Sequence, residues 1–231
     1  MNTIRRRLRD RDRQAGMTVV ELSISMVITS ILMVCIGTVT MSTLRIVRTQ
    51  SIKTNIAADS RIGLEATTRT MRAAIIPDGE TSAIVYAAGD AVTFYSQINR
   101  ANAIIGGEVI PSKVEYYQGG NCLYEAVTPP RQLATAATAG PFYAWDTGRT
   151  VKCLLRTWPN ANLFTYYSSP SNPTVITIPV SGSLIPDDME DVRSIEMVLT
   201  VVDPQNRNVA GIQMKSRVTL DNVVLAAGGT V

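Results

Sequence analysis

An apolar run over residues 17–41 constrains this chain more than any other feature of its sequence. A helix needs about 20 apolar residues to cross the hydrocarbon core of a bilayer, and this run is long enough. Glu21, near its start, is charged, and the next charged residue is Arg45. Serine and threonine hydroxyls inside the run can bond back to helix carbonyls, so they do not break a helix. The run therefore predicts a membrane-spanning helix that carries one carboxylate.

A short basic segment precedes the run. Residues 1–16 contain six arginines and two aspartates and end in Gly16. An ordinary secretory signal has an apolar core of about 7 to 15 residues followed by a small-residue cleavage site, whereas this run is longer and lacks such a site. Dense arginine before the span predicts that residues 1–16 stay in the cytoplasm and that the remainder faces outward. Without these residues the chain has 16 basic and 17 acidic residues, so its remainder is near neutral.

The junction Gly16-Met17-Thr18-Val19-Val20-Glu21 resembles the type III signal of type IV pilins and pseudopilins. In that family a dedicated membrane aspartyl peptidase cuts after the glycine, and the new amino terminus is N-methylated. The resemblance implies cleavage by a prepilin peptidase between Gly16 and Met17, methylation of Met17 and retention of Glu21. Met17 stands where family members usually carry phenylalanine.

A carboxylate within a membrane segment calls for a partner. Removal of the leader would create a positive amine at Met17, available to Glu21 of the same or of a neighbouring chain. Two charges about 4 Å apart attract by about 4 kcal/mol at an effective dielectric constant of about 20. The alternative is a carboxylate that only turns toward the membrane interface. We expect Glu21 to act in assembly, as the family resemblance implies.

The helix is expected to continue beyond the membrane. Apolar residues recur at helical spacing as far as Ile75, and no proline occurs before Pro77. This pattern predicts one helix over residues 18–74, amphipathic in its second part. Its apolar positions after the run are Leu44, Ile46, Val47, Ile52, Ile56, Leu64, Met71 and Ile75. The family resemblance implies that the outer half packs on a globular head and the inner half in a filament.

After Asp78-Gly79 the β-forming residues dominate, so we expect an α+β fold with a β-rich head. The family resemblance implies that this head is mainly antiparallel and pilin-like. Gly119-Gly120-Asn121 predicts a hairpin turn. Residues 128–148 predict an exposed excursion, and Asp203-Pro204-Gln205-Asn206 a second turn. The candidate strands are residues 83–87, 91–97, 113–118, 122–127, 150–158, 163–167, 174–180, 194–202 and 213–223.

Cys122 and Cys153 lie in the part of the chain that is expected outside the cytoplasm, where disulfides persist. We expect these two cysteines to pair. Closing a loop of roughly 30 residues would stabilise the folded domain by about 3 to 4 kcal/mol. Two buried free thiols are the alternative.

The composition excludes several kinds of enzyme. The chain contains no histidine, which rules out a Ser-His-Asp or Cys-His arrangement and a histidine-ligated zinc site. No spacing of carboxylates points to a catalytic pair. We therefore expect no enzymatic activity and no cofactor.

Two clusters of charged residues could form binding sites for ions, lipid or DNA. Asp187, Asp188, Glu190 and Asp191 could supply oxygen ligands to calcium, but Pro186 followed by acids favours a helix start. Six basic residues on the outer helix could contact lipid phosphates or DNA, although a solvated helix face explains them more simply. They are Arg45, Arg48, Lys53, Arg61, Arg69 and Arg72.

These observations predict a minor pilin or pseudopilin that functions in initiation or at the tip of a filament. The expected domains are a leader (1–16), a transmembrane helix (17–41), its amphipathic continuation (42–76) and a β-rich head (77–231). The expected partners are prepilin peptidase, other pilins, an inner-membrane assembly platform and lipid, with DNA as a weaker alternative. The expected location is the inner membrane and then a pilus or pseudopilus. A DNA-binding or adhesive minor pilin and an unrelated signal-anchored domain are the alternatives.

Overall fold

A computed structural model describes residues 17–98, 104–105, 108–133, 143–157, 162–169, 173–180, 182–203 and 209–226. Its first element is a helix, α1, that runs without interruption from Val19 to Arg72 and confirms the predicted continuous helix. The chain divides into two compact units, residues 1–50 and 51–231, and α1 contributes to both. We call residues 51–231 the globular unit.

In the first unit, the described part of α1 exposes its apolar side chains. No residue of its most apolar stretch is buried, and by length and composition the helix can cross a bilayer. The hydroxyls of Ser23, Thr29 and Ser30 donate to carbonyls one turn earlier in the helix, at 2.7–2.8 Å. These bonds satisfy the hydroxyls within the helix, as the sequence predicts.

The globular unit is mainly antiparallel β-structure, which confirms the α+β fold class. Its strands are Ile84–Ala87 (β1), Ala91–Ser96 (β2), Ile104–Ile105 (β3), Glu108–Val109 (β4), Ser112–Gly119 (β5), Cys122–Thr128 (β6), Arg131–Gln132 (β7), Tyr143–Ala144 (β8), Thr150–Arg156 (β9), Phe164–Tyr167 (β10), Val175–Ile176 (β11), Ser194–Val201 (β12) and Ile212–Thr219 (β13). Two short helices, Pro186–Glu190 (α2) and Asp221–Ala226 (α3), complete the described elements.

The described strands form two main sheets. One has the order β1-β2-β5-β6-β9 and the other β11-β10-β12-β13. The β5–β6 hairpin turns at Gly120, whose φ of 58° is followed by a residue of negative φ, as in a type II′ turn. Among the described side chains, the largest fully buried ones include Phe94, Tyr116, Phe164 and Tyr166. These aromatic residues come from both sheets and form part of one core.

The part of α1 in the globular unit buries a face made largely of small and hydroxyl residues. Its buried residues are Ile56, Ser60, Gly63, Thr67, Thr70 and Met71. A Cβ added to Gly63 would lie 2.5 Å from Cγ of Leu155 on β9. Glycine at this position therefore lets the helix backbone approach the leucine side chain directly.

The hydroxyls on this face are satisfied by the helix itself. Thr67 donates to the carbonyl of Gly63 at 2.9 Å, and Thr70 donates to that of Ala66 at 3.1 Å. The hydroxyl of Ser60 donates to its carbonyl partner in the preceding turn. A hydroxyl buried without a partner costs about 1–3 kcal/mol, so these bonds make a polar face compatible with the core.

The end of α1 is attached to β2 by hydrogen bonds. The amide of Ile75 donates to the carbonyl of Tyr95 at 3.0 Å, and the amide of Gln97 donates to Ala73 at 2.8 Å. The hydroxyl of Ser96 donates to the carbonyl of Thr70 at 2.7 Å. The chain that leaves the helix thus pairs with the sheet before it turns into β1.

The structure corrects one sequence prediction and extends another. The strand predicted over residues 213–223 ends at Thr219, because Asp221 begins α3 and the helix buries Val223 and Val224. The predicted apolar stripe packs against the core at Ile52, Ile56, Leu64 and Met71, and hydroxyl residues, which the prediction did not include, share the buried face. Within the predicted excursion, β7 pairs with β8, while residues 134–142 and the turn residues 204–208 lie outside the described residues.

Cys122 on β6 and Cys153 on β9 form a disulfide bond, with Cα atoms 5.9 Å apart. The bond links two neighbouring strands of the five-stranded sheet. Since β9 is the edge strand that supplies Leu155, the disulfide fixes the strand against which Gly63 packs.

We predict that Gly63→Ala destabilises the protein although alanine is the better helix former. The helical preference for alanine is worth about 1 kcal/mol, but overpacking against Leu155 costs about 1–3 kcal/mol. Chemical denaturation of the full chain in maltoside micelles should show a net loss of stability. In a Leu155→Ala background the same glycine substitution should stabilise the protein. A gain of stability from Gly63→Ala alone would contradict the close approach.

Candidate processing and assembly site

The first turn of α1 is closed by a reciprocal pair of hydrogen bonds between Thr18 and Glu21. The Glu21 amide donates to the Thr18 hydroxyl at 3.2 Å, and the Thr18 amide donates to Oε2 of Glu21 at 3.0 Å. The Thr18 hydroxyl lies 3.1 Å from the same carboxylate oxygen and donates to it. The carbonyl of Thr18 accepts the first helical bond, from Leu22, at 3.0 Å. Thr18 is therefore the N-cap, and Glu21 is the third helical residue of a capping box.

This arrangement gives Glu21 a local role that the sequence predictions did not include. Thr18 and Glu21 have the Thr-x-x-Glu spacing of a capping box, so the signal was present in the sequence. Both described bonds to the carboxylate use Oε2. Within the described residues, Oε1 is left open to an outside donor.

The cleavage position itself is only partly described. Met17 is exposed and directly precedes the N-cap, whereas Gly16 and the leader lie outside the described residues. A cut before Met17 would leave the new amine one residue from the cap. The amine and the Glu21 carboxylate would then lie on the same turn of the chain, one positive and one negative.

Residues 11–34 match the family model of the prokaryotic N-terminal methylation motif. The chain carries a type IV prepilin motif. The match includes Gly16, Met17 and Glu21 and confirms the resemblance to type IV pilins and pseudopilins. It spans the leader and the first part of α1.

A search of solved structures found the crystal structure of the GspK–GspI–GspJ complex from the type 2 secretion system of enterotoxigenic Escherichia coli. The similarity has a TM-score of 0.42 at 13% sequence identity and covers 73% of this chain and 97% of that chain. No curated protein matches the chain. The globular unit is therefore interpreted from its own geometry.

The acidic cluster that followed Pro186 in the sequence forms a helix start, as predicted. Pro186 is the first residue of α2, and Asp187 and Asp188 lie in its first turn, near the positive end of the helix dipole. Among the described residues, no group of three or more histidine, cysteine, aspartate or glutamate side chains is placed to hold a metal ion.

Two buried carboxylates of the sheets have cationic partners. Glu125 contacts Lys152 at 2.8 Å and accepts a hydrogen bond from the Tyr116 hydroxyl at 2.8 Å. Glu196 on β12 contacts Lys215 and Arg217 on β13, each at 2.9 Å. These contacts join neighbouring strands, so the carboxylates stabilise the sheets.

The two cations also determine the pKa of Glu196. Burial of Glu196 raises its pKa, but hydrogen bonds and charge attraction from Lys215 and Arg217 outweigh burial, so the pKa is lowered overall. The guanidinium of Arg217 also lies 4.0 Å from the ring centroid of Tyr167, which holds it beside the sheet.

We predict that Thr18→Val weakens the first turn of α1, whereas Thr18→Ser preserves it. Valine has the shape of threonine but lacks the hydroxyl, and loss of an N-cap costs about 0.5–2 kcal/mol. Hydrogen exchange of the full chain in maltoside micelles should show faster exchange at Glu21 in the valine variant. Equal exchange in both variants would show that the cap does not hold this turn.

We predict that Glu196→Gln reduces the acid sensitivity of the fold. Because the folded pKa lies below the ordinary glutamate value of about 4.3, this carboxylate stabilises the protein above that pH. The stabilisation is lost as pH falls through the folded pKa. Denaturation between about pH 7 and pH 3 should therefore show a smaller loss of stability for the glutamine variant. Exposed Glu65→Gln is the control, and an equal effect of both variants would contradict the prediction.

Proposed function

We propose that this chain is a minor pilin or pseudopilin, a structural subunit that assembles through α1 after cleavage between Gly16 and Met17. The observation that carries the proposal is the coincidence of the methylation motif with the start of a long helix whose apolar side chains are exposed. Such a surface is stable in lipid or against other apolar helices, and not in water. Residues 1–16 are then the leader, 17–41 the transmembrane helix, 42–76 its continuation and 77–231 the head.

The geometry at Glu21 supports a role in assembly. The capping box holds Oε2 of Glu21 and, within the described residues, leaves Oε1 without a donor, so the side chain is oriented before a partner arrives. A methylated amine at Met17 of a neighbouring subunit is a cation, opposite in charge to the Glu21 carboxylate. An ion pair in apolar surroundings favours one stagger between packed helices, because a displaced helix leaves the charge without a partner.

The proposed location, the inner membrane, follows from the leader and the apolar run. The arginine-rich leader favours the cytoplasmic side, so the globular unit faces outward from the inner membrane. There the prepilin peptidase, an assembly platform and other pilins are the expected partners. Exchange of lipid contacts for helix contacts then moves the subunit into a pilus or pseudopilus, where we propose a role in initiation or at the tip.

One observation favours a second function, the binding of DNA or lipid phosphates. The six basic residues of α1 named above are exposed, and among the described residues none has an ion-pair partner. Phosphate neutralisation would make such binding strongly salt-dependent. Absence of salt-dependent DNA binding by the full chain in maltoside micelles would remove this alternative.

We predict that the chain, co-expressed with its native prepilin peptidase, has the intact mass of a protein that starts at Met17 and carries one methyl group. Glu21→Ala should still be cleaved but should lose cross-links to neighbouring subunits, because cleavage and assembly are separate steps. Ser23→Ala, a change two residues along the same exposed helix, is the control and should assemble normally. A full-length mass together with normal behaviour of Glu21→Ala would instead support a signal-anchored exported domain.

A further inference from the structure

A cavity of about 330 Å³ lies beside the connection between α1 and β1. Ile75, Ile76 and Pro77 form one side, and Ile110, Tyr143 and Trp145 form another. Ligand pockets commonly measure about 300–1,000 Å³, so this cavity suits one or two amino-acid side chains. It belongs entirely to the globular unit and contains none of the residues of the proposed assembly site.

The aromatic wall of the cavity is held in place by the surrounding structure. The indole nitrogen of Trp145 donates to the carbonyl of Pro111 at 2.8 Å. Its ring packs against the buried Tyr95, with centroids 4.6 Å apart. These contacts fix the half-buried indole where it lines the cavity.

Two carboxylates lie at the same cavity on a tight turn. The amide of Glu80 donates to the carbonyl of Pro77 at 3.1 Å, and Gly79 has a φ of 88°, as a type II turn requires. This turn presents Asp78 and Glu80, which both line the cavity. Burial and then the Glu80 carboxylate raise the pKa of Tyr95 to about 12, and the Tyr95 hydroxyl is hydrogen-bonded to Glu80.

The two carboxylates have no cationic partner among the described residues. Both are exposed, unlike the buried Glu125 and Glu196, so water solvates their charges until a ligand enters the cavity. The cavity therefore combines apolar walls, a fixed aromatic ring and two carboxylates that have no cationic partner in the described part of the chain.

We propose that this cavity is a docking site for an arginine side chain presented by a partner polypeptide. Arginine matches each of these features: its methylene stem suits the apolar walls, its planar guanidinium stacks on aromatic rings, and its charge complements the two carboxylates. Lysine lacks the planar group, and a purely apolar side chain would leave the carboxylates unmatched. The inference goes beyond the assembly role of α1, because it assigns a contact to a different surface and does not require cleavage of the leader.

The test uses the full chain in uncharged maltoside micelles with fluorine-labelled tryptophan. The chain has two tryptophans, and Trp145→Phe identifies the signal of Trp145. The probe is N-acetyl-leucyl-arginine amide, and its control is the same peptide with neutral citrulline in place of arginine. We expect a saturable shift of the Trp145 signal that is roughly fivefold tighter for arginine than for citrulline.

The variant Asp78→Asn/Glu80→Gln should lose this preference for arginine. Asp187→Asn/Glu190→Gln removes the same amount of charge at α2, and this control variant should keep the preference for arginine. Equal binding of the two peptides to the unmodified protein would overturn the proposal, as would the absence of a saturable shift up to about 20 mM peptide. Because these two outcomes are measured on the unmodified protein, they do not depend on the folding of a variant.

Discussion

The close approach of Gly63 on α1 to Leu155 on β9 positions the helix against the five-stranded sheet. A side chain at position 63 would overlap the leucine, so the helix can lie this close only with glycine there. The same face carries small hydroxyl residues whose hydroxyl groups donate to carbonyls of their own helix, so these polar groups are satisfied. The close approach at this point adds dispersion contacts between the helix and the strand.

The five-stranded sheet supports that contact through its edge. β9 is held to β6 by backbone pairing and by the disulfide, and it also provides Lys152 to the buried Glu125. One strand therefore combines a covalent link, an ion pair and the leucine that meets the helix.

The sequence predicts the local features well and the long-range ones poorly. The apolar run, the turn at Gly120 and the helix start at Pro186 follow from residue type, so they were predictable. The end of β13 was not, since Val223 fits a strand pattern and only the Asp221-Asn222 pair opposes it. The buried face of α1 also escaped prediction, because Ser60 and Thr67 look like solvent-exposed residues until their bonds to the helix are known.

Of the two candidate sites, the local one was predictable from the sequence and the one built from distant segments was not. Glu21 stands out in the sequence because a lone carboxylate in an apolar run is unusual, and its Thr18 partner has a recognisable spacing. The cavity at Trp145 could not be predicted, because its walls come from three distant segments that only the fold brings together.

The hydroxyl-rich face of α1 also suits a helix that is made before the rest of its interface. Synthesis begins at the amino terminus, so the helix exists before β9 and must wait for it. A face of large apolar side chains would be prone to aggregation during that interval. Serine, threonine and glycine expose little apolar surface, so this face has little tendency to aggregate before β9 is made and completes its interface.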